Sequence, residues 1–232
     1  MRADRSLVTR FPACHKVPEF NVFASLLRMT TKYGFSDVRE QLVEGIKGAY
    51  PTKWEGAKTA KSLGEGVFGS PKPHHNAVLN LFLEQSITFA LPFAAYRAAL
   101  GGLPSLTSNT PGTVLPPLTL ASTIYGIDVL RGGLAHLAHL VVCNMSLEEC
   151  HNGACVVNVG ISPPKRRMEG LNKIYDAMVK EGKGDVLFSL SLGDVVCADC
   201  AKIPEQASSH WRTMVWEELP RIFGIGKSWE EL

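Results

Sequence analysis

Long uninterrupted apolar runs are missing from this chain. None reaches the roughly 18 residues a membrane-spanning helix needs, because Arg97, Asp128 and Arg131 punctuate the candidates. The start, Met1-Arg2-Ala3-Asp4-Arg5, lacks an apolar core of signal-peptide length. Cysteine is scarce, six in 232 residues, which excludes a disulfide scaffold. Without a secretory signal the thiols are expected to be reduced and the protein cytoplasmic or nuclear. An excess of one charge is also absent: 24 basic against 22 acidic residues leave a net +2, too little to imply nucleic acid or a membrane surface as partner. Catalytic signatures are lacking too. There is no G-x-S-x-G, no H-E-x-x-H, no P-loop and no G-x-G-x-x-G. Gly64-Glu65-Gly66 with Gly69 has no strand before it, and the pairs Glu148-Glu149, Glu217-Glu218 and Glu230-Glu231 fall in solvated, helix-like positions. The chain is not expected to be an enzyme.

What is present is enough apolar material for a core, 45% hydrophobic against 20% charged residues. Residues 1–20 show no period and are expected to be a flexible tail. Asn21 is a candidate N-cap for a helix carrying Val22, Phe23, Leu26, Leu27 and Thr30, which stops at Tyr33-Gly34. A second helix follows, capped by Ser36 or Asp37, with Val38, Leu42, Ile46 and Tyr50 as its stripe, and Pro51 ends it. Residues 21–50 are therefore a helical hairpin. Residues 51–75 hold Pro51, Gly56, Gly64, Gly66, Gly69, Pro71 and Pro73 and are expected to be a loop or linker, with Thr52 and Glu55 as a short capping box. His74-His75 closes it, on solvated backbone that points the two rings apart.

Residues 76–146 carry only four charges, Glu84, Arg97, Asp128 and Arg131. That predicts helices over about 76–90, 92–100 and 117–142 buried on most sides, separated by a Gly/Pro/Ser/Thr loop from Gly101 to Pro117. His136 and His139 share a face of the last of these, in an apolar setting that favours hydrogen-bonded core histidines over metal ligands. Further on, Ser146 with Glu149 opens a turn bearing Cys150 and His151. Ser162-Pro163-Pro164-Lys165-Arg166-Arg167 leads into a helix at 168–181 with Leu171, Ile174, Tyr175 and Met178 as its stripe, and 185–196 is an apolar run of either type.

The cysteines form the one constellation with chemistry. Cys197 and Cys200 make a C-x-x-C pair, half of a structural zinc motif, and Cys150 and Cys155 are the candidates for the other half, with Cys143 and His151 nearby. Packing as small buried hydrophobes is favoured over zinc, with redox exchange or a disulfide as the remaining alternative. Beyond the pair, Trp211, Val215, Leu219 and Ile222 recur at helical spacing, and three of the four tryptophans, Trp211, Trp216 and Trp229, crowd this end. With Leu219 and Phe223 they are expected to bind the terminal element onto the apolar helices.

Tyr33-Gly34, Val38-Arg39 and Ala49-Tyr50-Pro51 resemble the end of the BTB/POZ fold in the BTB-domain families of mushroom-forming fungi. Cys197-x-x-Cys200, Trp216, Leu219-Pro220, Phe223-Gly224 and Trp229-Glu230-Glu231-Leu232 resemble the ending of the same proteins. The resemblance implies a protein–protein interaction module, by analogy a substrate adaptor of a cullin-type ubiquitin ligase. Only about 20 residues precede the matching helices, so the chain is expected to be a truncated member without the BTB core, and homodimerisation through the family's surface is not expected. The fold expected is mainly α, an irregular helical bundle with long loops: a BTB-end hairpin followed by a helical C-terminal domain over 76–232. The partners expected are proteins, with no cofactor. A small zinc-binding structural domain centred on Cys197 and Cys200 is the alternative.

Overall fold

Helix signals dominate the sequence, and the computed structural model shows that they are realised. It describes residues 19–63, 74–145 and 198–232, with single positions 68, 169, 172 and 187. Every regular element among the described residues is a helix. The hairpin is formed by α1 (Phe20–Tyr33) and α2 (Ser36–Ala49). Gly34 stops α1 with φ +69°, the left-handed turn that glycine adopts at no steric cost, and its N–H bonds Thr30. The helix begins one residue before Asn21, and Ser36 is the first residue of α2 rather than its cap.

The stretch 51–75 is more ordered than its glycines and prolines suggest. It contains α3 (Trp54–Leu63), which buries Trp54 and Ala57. Ile46, Tyr50, Trp54 and Ala57 continue one apolar stripe across Pro51, and that burial outweighs local propensity for a loop.

The low-charge region supplies α4 (His75–Glu84), a 3-10 turn (Thr88–Ala90), α5 (Leu91–Leu100), the short α6 (Gly102–Leu106) inside the expected loop, and α7 (Pro117–Met145). The helix expected to reach residue 90 ends at Glu84, because Ser86 turns the backbone into the left-handed region at φ 54°. α5 is the centre of the molecule, with every residue buried except Arg97 and Leu100. It packs on α4, α6, α7 and the C-terminal helix α8 (Ala198–Ile222).

α7 departs from the expectation of burial on most sides. Its inward face is Thr123, Gly126, Ile127, Leu130, Leu134 and Leu137, while Leu118, Tyr125, Val129, His136 and His139 are exposed. The two histidines are therefore not core residues. Few charges do not make a helix buried: beside Asp128 and Arg131 the outward face exposes uncharged Tyr125, Gly132 and the two histidines.

One hydrophobic cluster runs from Phe23 and Leu27 through Tyr50, Trp54, Phe82 and Phe93 to Trp216 and Phe223, so the hairpin and the C-terminal helices share a core. Two asparagines of α4 fasten the loop that follows α6. Asn76, fully buried, gives its side-chain N–H groups to the carbonyls of Ser105 (3.0 Å), Leu106 (3.5 Å) and Thr113 (3.2 Å). Asn80 reaches Gly112 at 3.2 Å and Val114 at 2.9 Å.

Candidate functional site

Trp216 has a face for almost every neighbour, and it organises the C-terminal candidates. It is 1% exposed. The ring stacks on Trp229 (centroids 5.3 Å apart, planes 16° off parallel), meets Phe93 edge-on at 5.0 Å and lies 5.8 Å from Trp54. Aromatic pairs at these separations each add roughly 0.5–1.5 kcal/mol beyond burial. Its indole N–H donates to the Thr52 carbonyl at 3.0 Å, so the ring is also satisfied as a polar group. Trp229 donates its own N–H to the Trp216 carbonyl at 2.8 Å, and Thr88 Oγ1 donates to the Leu232 carbonyl at 2.6 Å. The chain end is thereby tied back onto the α4–α5 turn.

Leu219 and Phe223 are fully enclosed, and Trp211 is half-buried. Their seat is cut into α7 by missing side chains. The Phe223 ring fills the space above Gly126, and Trp211 lies over Gly133, 3.3 Å from where a Cβ would stand. All five expected closure residues thus act in one joint, with Trp216, Leu219 and Phe223 at its centre and Trp211 and Trp229 at its edges. Its other half includes Trp54, Phe93, Gly126 and Gly133, which sequence spacing did not single out. Trp54 carried a signal, standing four residues after Tyr50 and eight after Ile46. The glycines carried none.

Of the candidate metal ligands, Cys150, Cys155 and Cys197 lie outside the described residues, as do the expected helix at 168–181 apart from positions 169 and 172 and the run 185–196 apart from Leu187. Cys200 falls in the first turn of α8. Among the described residues no three His, Cys, Asp or Glu side chains converge as metal ligands do.

His74 and His75 are not on a solvated loop. His74 is the N-cap of α4, its Nδ1 accepting from the Asn76 N–H at 3.3 Å while Nε2 lies 3.2 Å from Ser105 Oγ. His75 is held at about 4 by burial, reinforced by Arg97 and His74. Burial likewise pushes the Tyr50 phenol up to about 12. A cavity of about 350 Å³ lies between the start of α1, α4 and Pro111-Gly112, with Arg28 and His74 among its walls. Arg28 is engaged in a bidentate fork on Glu84 (2.7–3.0 Å), and His74 is engaged in capping.

The second notable surface is on α1. Its inner face, Phe23, Ala24, Leu27 and Thr30, is locked into the core. Its outer face presents Val22, Leu26, Met29 and Tyr33 at 39–58% exposure, with Phe35 beyond the turn at 56%. The spacing of four, three and four residues places these side chains in one seam along the helix. Monomeric proteins rarely leave such a contiguous stripe to water. No helix among the described residues is long and apolar enough to cross a membrane. No family model, no curated protein and no solved structure matches this chain.

Proposed function

We propose that the protein is a non-catalytic protein–protein interaction module whose docking surface is the outer seam of α1. The observation that carries this reading is the stripe Val22, Leu26, Met29, Tyr33 and Phe35, large apolar groups held in water on a helix whose opposite face is fixed. The terminal aromatic joint has the complementary role. Trp216, Leu219 and Phe223 are spent on the core, so they stiffen the platform rather than meet a partner. The likeness of the hairpin and of the C-terminal string to BTB proteins supports the same class of function, with recruitment of a substrate to a cullin-type ubiquitin ligase as its finer form.

The test places a photo-activatable amino acid at Met29 in the full chain, exposed to an extract of its source cells. A discrete protein adduct is expected, abolished by Leu26→Glu in the same chain without change in melting temperature. Equal, diffuse labelling from position 29 and from the exposed Gln41 would refute the reading.

A further inference from the structure

The seam on α1 is self-complementary, and we infer that its occupant is a second copy of this chain, docked antiparallel, α1 on α1. The inference rests on the interaction-module reading and names its partner. Three observations carry it. The seam is uninterrupted, whereas the other exposed apolar row, Leu118, Tyr125 and Val129 on α7, has Ser122 in its middle. It is also centred on Leu26 and Met29, so a two-fold axis between them sets Leu26 against Met29 of the second copy and Val22 against Tyr33, as an isologous interface requires.

Charge then selects the direction. Glu19 stands exposed at the start of α1, and Lys32 sits over the Tyr33 ring, 5.4 Å from its centre, at the end. Arg28, the other cation of the helix, is already forked onto Glu84. Parallel docking would set Lys32 beside Lys32 and align the helix dipoles. Antiparallel docking brings the acidic start of one helix to the basic end of the other.

The area suffices for a reversible dimer. Tyr33 and Phe35, each more than half exposed, offer about 100 Å² apiece, and with the exposed halves of Val22, Leu26 and Met29 the seam can cover at most about 500 Å² per copy. About 1,000 Å² in total is the lower bound of specific interfaces, the size class of weak and reversible encounters.

The experiment is sedimentation of the full chain from about 1 to 500 µM, alone and as Met29→Glu and Leu26→Lys variants, with circular dichroism and melting recorded for each. The wild type is expected to pass from monomer to dimer across this range. Each variant should weaken the dimer at least about tenfold at unchanged helicity. An equimolar mixture should restore it, because the carboxylate introduced in one copy then faces the ammonium introduced in the other. If Leu26→Lys does not fold, Val22→Lys mixed with Tyr33→Glu makes the same comparison one step outward. A wild type that stays monomeric throughout overturns the inference, and so does a mixture that fails to restore the dimer. A monomeric wild type that still gives a discrete adduct from position 29 leaves the interaction module standing with a different partner. A monomer destabilised by Met29→Glu has the seam covered by its own chain, which overturns both readings.

Discussion

Replacing Gly126 by alanine sets two helical effects against each other, and the structure says which wins. In an open helical position the change is favourable, because glycine costs roughly 0.8–1 kcal/mol relative to alanine. At Gly126 the new methyl would stand well inside van der Waals contact of Phe223 Cε1 and Cδ1, with Cζ at 3.2 Å. Phe223 is 1% exposed and cannot swing into solvent. Overpacking costs about 1–3 kcal/mol; contacts this short against an enclosed ring take the upper part of that range, so after the propensity gain the net effect of Gly126→Ala is a loss of about 1–2 kcal/mol. Gly132, six residues further along the same helix, has nothing within 4 Å of its would-be Cβ, and Gly132→Ala should gain roughly 0.5–1 kcal/mol. At about 2–4 °C per kcal/mol for a chain of this size, the two variants should melt roughly 3–12 °C apart on opposite sides of the wild type. Thermal and urea unfolding followed by circular dichroism measure this. Adding Phe223→Leu completes a double-mutant cycle: the leucine should cost less in the Gly126→Ala background than in the wild type, a coupling of about 1 kcal/mol. If Gly126→Ala stabilises as much as Gly132→Ala, the seat proposed for Phe223 on α7 is wrong.

Trp216→Ala removes a fully buried indole and its bond to Thr52, and is expected to cost about 3–5 kcal/mol by urea unfolding; Trp216→Phe, which keeps most ring contacts, should cost less than half of that. Asn76→Ala takes the buried donor away from the carbonyls of Ser105 and Leu106 at the end of α6 and of Thr113 in the loop beyond, of which Ser105 keeps a bond from the Ser108 N–H. It should lower stability by about 2–3 kcal/mol, while Asn76→Asp, which points a carboxylate at the same carbonyls, should do more harm at pH 7 than at pH 4. His75 ordinarily titrates at 6.5 and here at about 4, so the unfolded chain takes up its proton first. Its contribution is intact above pH 6.5 and shrinks as pH falls toward 4, by on the order of 2–3 kcal/mol, a slope that His75→Gln should flatten in unfolding curves at pH 7, 5.5 and 4.

How far these features were legible in the sequence depends on whether local pattern or distant contact decides them. The helices α1, α2, α5 and α7 were readable within a few residues because each carries an apolar run bounded by a breaking residue, such as Tyr33-Gly34 at the end of α1 or Pro117 at the start of α7. The inward residues of α8 were readable too, since Trp211, Val215, Leu219 and Ile222 recur at helical spacing. Composition misled twice. Gly and Pro around α3 read as a linker, although Trp54 continues the stripe of Ile46 and Tyr50 into the core. The near absence of charge on α7 read as burial on most sides, although its outer face sets small and uncharged polar residues beside Asp128 and Arg131 and leaves His136 and His139 exposed. The seats at Gly126 and Gly133 had no local signature, because a glycine needed for close approach looks the same as one that is merely tolerated. The α1 seam was hidden for a related reason. Val22 and Leu26 counted as part of one apolar face with Phe23 and Leu27, and only the neighbours of the helix show which half they cover.

The bond from the Trp216 indole to the Thr52 carbonyl spans 164 positions of the chain, and this sets a schedule for synthesis. At roughly 5–20 residues per second, about 10–30 s separate the emergence of Thr52 from that of Trp216. Trp54 is made at the start of that interval and Phe93 with the rest of α5 within about its first third, and all of them then lack the tryptophan that completes their cluster. The aromatic wall built first must therefore wait for its last member, so a nascent chain stalled before α8 should bind holdase chaperones far more strongly than one stalled beyond Phe223.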